Sequence, residues 1–155
     1  MKGVDAMANW ARGQVKIVGM KTNLRDFLLN IVDDQELNKA ECSEDFIYLS
    51  MSPDMYRGGF HLPGTRCHYI DDIEINVKFS EETLIDAGRH MICLPFSGID
   101  GIDVPEMLEL AKHFNIDFEM DVIEPWGGYQ QKAVIIGGEL VSNQFFEYNL
   151  YEDDE

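Results

Sequence analysis

Three acids recur at every second position near the end of the chain, Asp117, Glu119 and Asp121, with Phe118 and Met120 between them. In an extended chain, side chains two apart share a face and lie roughly 6.6 Å from each other, so this spacing lays carboxylates in a row. Such a row has two chemical uses. It can hold a hard divalent cation for hydrolysis, with Asp71, Asp72, Glu74, Asp100 and Asp103 as further oxygen donors. It can also imitate the charge repeat of one nucleic-acid strand and occupy a basic groove. The plain alternative is the solvated side of a sheet. Hydrolysis also needs a lysine or other base beside the carboxylates. Residues 101–155 hold only Lys112 and Lys132, neither in a carboxylate-x-Lys pattern. The residues therefore favour recognition, with no catalytic residue, metal or cofactor. Its partner-binding candidates are Asp117, Glu119, Asp121 and Glu124, with Asp153 and Asp154 of the tail adding electrostatic steering. A small metal-dependent hydrolase or nuclease built on surface carboxylates is the alternative of a different class.

Other constellations are poorer. His61, His68, His90 and His113 form no His-x-x-x-His pair, and Cys42, Cys67 and Cys93 form no Cys-x-x-Cys pair. An odd cysteine count argues against a disulfide framework and for the reducing cytosol. Ser97 and Ser142 lie outside any Gly-x-Ser-x-Gly turn, and the paired glycines fit no dinucleotide or P-loop fingerprint. The competing surface is a basic island in residues 52–72, where no acid falls between Met55 and Ile70. Tyr56, Arg57, His61 and Arg66 are its partner-binding candidates, and Tyr and Arg are common anchors of interfaces. The same cations could instead neutralise the protein's own excess acids.

That excess is large. Twenty-nine acids against 12 bases give a net charge of −17 on 155 residues, of which −11 falls in residues 101–155. A field of this sign repels nucleic acids and anionic membranes and attracts basic surfaces. Direct nucleic-acid binding is thus excluded, although Phe145, Phe146, Tyr148 and Tyr151 would otherwise suit base stacking. No apolar run reaches the 18 or so residues of a membrane span, and no signal peptide is evident.

The elements that must position these groups follow from hydrophobic period. Residues 14–20 and 73–79 alternate as strands, and residues 46–51 read as a strand buried on both faces. Leu24, Phe27, Leu28 and Ile31 make one helical stripe over residues 23–33, capped by Thr22 or Asn23. Residues 52–72 carry Pro53, Gly58, Gly59, Pro63 and Gly64 and read as a long loop. A short helical turn is expected over 80–87, then a strand over 90–96 that Pro95 places at an end or an edge. Asp103 and Glu106 form a capping-box-like pair ahead of a helix bearing Met107, Leu110, Ala111 and Phe114. The acidic strand spans 115–124, and Gly137-Gly138 joins strands 129–136 and 139–146 in a hairpin. The expected organisation is an N-terminal extension at 1–6, one α+β domain at 7–150 and an acidic tail at 151–155. Two βαβ halves, an inserted loop and strand, and the C-terminal β-hairpin predict a ferredoxin-like sandwich with helices on one face.

Ala8-Asn9-Trp10, the run Gly13-Gln14-Val15-Lys16-Ile17-Val18-Gly19, the helix from Asn23, and Gly64-Thr65-Arg66 with Tyr69-Ile70 carry a resemblance. They resemble small hypothetical proteins of phages and integrative elements of Gram-positive bacteria. That resemblance implies a ferredoxin-like domain, a mobile-element origin and no catalytic residues. In size and charge alone the chain is similar to DNA-mimicking anti-CRISPR proteins. What this implies is a cytoplasmic inhibitor, acting in the host bacterial cell on the basic groove of a nucleic-acid-binding defence enzyme such as a CRISPR effector nuclease. An uncharacterised structural or regulatory role for the mobile element is the remaining alternative.

Overall fold

In this computed structural model the described residues are 9–31, 37–56 and 58–147. Among the described residues, ten strands and two helices form an α+β domain with antiparallel sheets. The strands are β1 Trp10–Met20, β2 Lys39–Cys42, β3 Phe46–Ser50, β4 Phe60–His61, β5 His68–Ile70, β6 Glu74–Lys78, β7 Arg89–Ile99, β8 Asp117–Glu124, β9 Tyr129–Ile136 and β10 Glu139–Glu147. The helices are α1 Lys21–Asn30 and α2 Val104–Phe114. Seven strands make one sheet in the order β10-β9-β8-β1-β7-β5-β4, and β2-β3-β6 make a second.

β1 is the centre of the large sheet because its alternation is complete. Ala11, Val15 and Ile17 are buried, whereas Arg12, Gln14, Lys16 and Met20 face solvent. It pairs antiparallel with β7 on one side and β8 on the other. Strands β7 and β8 therefore run parallel to each other with β1 between them, and α2 makes the crossover. The first βαβ half expected from sequence does not close in this way, because after α1 the chain enters the second sheet. One hydrophobic core joins the inward residues of the large sheet, the helical stripes and Ile47, Leu49, Ile75 and Val77 of the second sheet. Phe27 of α1 stands edge-on to Phe114 of α2 and Phe118 of β8, at 5.4 and 6.0 Å between ring centroids.

The α2 termini follow their sequence signals. The Asp103 carboxylate accepts the Glu106 N–H at 3.2 Å, and Asn115 ends the helix in the left-handed region at φ 54°. α1 differs from expectation: it starts at Lys21, straight out of β1, with no side-chain cap. Residues 80–87 form turns rather than a helical turn, with Leu84 bridging His90. Residues 52–72 are not an open loop. They contain a 3-10 turn, Pro53–Met55, and the short strands β4 and β5 that extend the sheet beyond β7. Pro95 is interior to β7, not at its end. Its carbonyl accepts from Asp71 N–H at 3.0 Å, so its missing donor lies on that same side, where β5 has just ended, and the ladder to β1 loses nothing. Among the described residues, no helix is long and apolar enough to cross a membrane.

Candidate interaction surface

The acidic row is present but it is not bare. Asp117, Glu119 and Asp121 point to the open face of the large sheet, where the flanking strands β1 and β9, and β7 beyond β1, bring cations to all three. Lys16 of β1 lies 3.6 Å from Glu119, Lys132 of β9 lies 3.9 Å from Asp121, and Arg89 of β7 lies 3.7 Å from Asp117. Asp117 also accepts the Gly137 N–H at 3.0 Å, and Asp121 accepts a Gln130 amide N–H at 2.8 Å. Exposed pairs of this kind stabilise by only about 0.2–1 kcal/mol each. Lys16 and Lys132 stand beside two of the carboxylates, and Arg89, whose shorter contact is to Asp86, reaches the third, so the face is mixed in sign. Apolar Val18, Ile85, Val134 and Ile136 line a groove of about 270 Å³ beside them.

Glu124 departs further from expectation. As the fourth inward position of β8 it is 2% exposed and unavailable to a partner. One carboxylate oxygen accepts the Trp126 N–H at 3.1 Å and the other accepts the Gly127 N–H. The Gly128 N–H returns to the Glu124 carbonyl at 3.0 Å. A Cβ at position 127 would run into the Glu124 carboxylate, and Gly128 adopts φ 71°, so both glycines are required by the turn. The result is a fixed Pro125-Trp126-Gly127-Gly128 turn whose indole is 85% exposed. Nearby, Phe145 and Phe146 at the end of β10 are 60% and 44% exposed.

The basic island is largely engaged by the protein itself. Arg66 reaches Asp103 and Glu106 at 3.3 Å each, and its own N–H donates to Glu106 at 3.2 Å. This clips the chain before β5 to the start of α2, and the Asp103 and Glu106 hydrogen bonds raise the Arg66 pKa. The Tyr56 hydroxyl donates to Asp71, whose other oxygen takes Arg12 at 3.2 Å. Burial first, and then that hydrogen bond, pushes the Tyr56 pKa up to about 12. Arg12 lies over Trp10 at 5.2 Å, Trp10 packs on Tyr69 at 5.6 Å, and Tyr69 packs on His61 at 5.3 Å. Arg57, Asp153 and Asp154 lie outside the described residues.

His68 is structural. It is 1% exposed, its Nδ1–H donates to the Cys67 carbonyl at 3.0 Å, and its Nε2 accepts the Asp103 N–H at 2.8 Å. Burial lowers its pKa, so the neutral imidazole links β5 to the entry of α2. Among the described residues, no three His, Cys, Asp or Glu side chains converge to hold a metal ion.

No protein family, curated protein or solved structure matches this chain. The surface must therefore be read from its own geometry. Sequence reasoning placed Asp117, Glu119 and Asp121 on one face but missed their cations, because strand order is invisible in sequence. It also missed Trp126. The signal was available: Glu124 falls on the same parity as Phe118, Met120 and Val122, so an acid points inward just before a Pro-Trp-Gly-Gly turn.

Proposed function

We propose that this protein works by binding another protein, with Trp126 as a central anchor. The observation that carries this reading is the Glu124 turn: a buried carboxylate fixes the backbone under an indole that is 85% exposed. Leaving a large apolar ring in water gains the free protein nothing, and a rigid backbone lowers the entropy lost on docking. Tryptophan is also among the residues that dominate binding energy at interfaces.

The partner expected from charge is basic, since residues 101–155 carry 13 acids and 2 bases. Combined with the mobile-element resemblance, this makes the groove of a nucleic-acid-binding defence enzyme, such as a CRISPR effector nuclease in the bacterial cytoplasm, the concrete proposal. Overall charge supports that choice; the β8 row adds little to it, being paired with Lys16, Lys132 and Arg89. On the fold, the β7-α2-β8 crossover around β1 supports reading the domain as an elaborated ferredoxin-like sandwich.

The test is affinity capture from a host lysate at low and high salt, followed by mass spectrometry. A nucleic-acid enzyme retained by the wild type at low salt, released by salt and lost by Trp126→Ala is the expected result. A captured enzyme indifferent to Trp126→Ala would overturn the anchor role.

A further inference from the structure

Among the described residues, β10 is the unguarded edge of the large sheet. Sheet edges are normally blunted by shortness, charge, proline or a bulge. At the opposite edge β4 has only two residues, while in the second sheet β2 carries Lys39 and Glu41, and β6 carries Glu74 and Lys78. β10 is nine residues long, and its one irregularity lies between Leu140 and Ser142. Beyond that point Ser142, Asn143, Gln144, Phe145 and Phe146 contain no charge and no proline, and Glu147 closes the run. Asn143 and Phe145 share the helix-side face, and the Asn143 side chain accepts from Gln131 there at 2.9 Å. Gln144 and Phe146 share the open face, where Lys132 lies 5.8 Å from the Phe146 ring.

We infer that Ser142 to Glu147 takes an extended segment of the partner as an eighth strand of this sheet. The inference rests on the binding role proposed above and names how the partner's main chain is held. An unpaired strand edge offers alternating backbone donors and acceptors, which only another extended backbone satisfies in series. Phe145 and Phe146 point to opposite faces, so the incoming strand carries apolar residues on both. Charge decides its remaining character. With Glu139 and Glu147 flanking the run, in a third of the chain holding 13 acids against 2 bases, the segment is cationic. A second copy of this chain is the poorer occupant. It brings the same acids to the seam, and pairing about Asn143 sets Glu139 opposite Glu147 twice, which is destabilising.

The probe is a synthetic peptide with a Val-Val-Lys-Lys repeat, which puts valine and lysine on both faces of the strand, compared with the same peptide N-methylated at every second residue to remove one edge of donors. Hydrogen exchange of the full chain is followed in both. The expected result is a monomer whose outward amides between Ser142 and Glu147 exchange fast, become protected by the first peptide, and bind the methylated one at least tenfold more weakly. Gln144→Lys, on the open face opposite Lys132, should weaken the first peptide several-fold, with only a small loss of stability from that like-charge pair. Equal binding of the two peptides would mean attraction by charge alone and would overturn the inference. So would protection confined to other strands, or a concentration-dependent dimer protected at β10 before any peptide is added. Trp126→Ala is run in parallel and should leave the peptide's footprint intact. A lost edge footprint with Trp126-dependent capture retained refutes strand addition alone, and the reverse pattern refutes the anchor alone.

Discussion

The carboxylate of Glu124, 2% exposed, holds the backbone N–H of Trp126, whose indole is 85% exposed. One residue is spent on fixing the other in water. Removing the acid and removing the ring should therefore have opposite signatures.

Glu124→Gln keeps the shape of the side chain but turns an amide nitrogen towards one of two N–H donors. A buried donor left unpaired costs about 1–3 kcal/mol. Urea denaturation should register that loss, while Trp126→Ala should change stability by no more than about 0.5 kcal/mol, as expected of an exposed site. Equal stability of the Glu124→Gln protein and the wild type would contradict the buried hydrogen bonds.

The β8 acids should behave as partners of their neighbours. A double-mutant cycle on Lys16 and Glu119, 47% and 58% exposed, should give a coupling of about 0.2–1 kcal/mol that fades with salt. Reversing Asp117→Lys, Glu119→Lys and Asp121→Lys together should lower the unfolding midpoint, because each lysine would face Arg89, Lys16 or Lys132. An unchanged midpoint would mean that the row is free of its cations in solution.

The Ser97 hydroxyl is fully buried and has no hydrogen-bond partner among the described residues. A lone buried hydroxyl forfeits its hydration without compensation, so Ser97→Ala should stabilise the fold by about 1 kcal/mol. A destabilised Ser97→Ala protein would reveal a partner for that oxygen.

His68 sets a pH dependence. Burial depresses its pKa from the ordinary 6.5, so on acidification the unfolded chain takes up its proton first. Its stabilising contribution is complete above 6.5 and is lost as pH falls from there towards the folded-state value. Ring-nitrogen NMR should find His68 neutral, with the proton on Nδ1, when an unfolded-chain histidine is half protonated. Titration of His68 at the ordinary value would contradict the buried, doubly bonded ring.

Where period and end signals agreed, the elements were legible. The Gly137-Gly138 hairpin, expected over 129–146 and ending at Glu147, the Asp103 cap and the alternation of β8 appear where the residue pattern puts them, whereas β1 begins at Trp10, four residues before the strand expected from 14. Short strands were not. Lys39–Cys42 is only four residues long and exposed throughout, so no buried face marks it, and β4 and β5 span two and three residues, below the length at which a period can be seen. The site was legible in part. Side-chain parity put three acids on one face, but the cations opposite them depend on strand order. Reading Glu124 as an outward acid overlooked its parity, and with it the turn that carries Trp126.

The most direct test is the affinity of the captured partner for the wild type and for Trp126→Ala, measured side by side by calorimetry on proteins of equal unfolding midpoint. An anchor residue of this kind contributes about 2 kcal/mol or more, so the expected loss is roughly 30-fold. Equal affinities would contradict the claim that this turn exists to present its tryptophan to a partner.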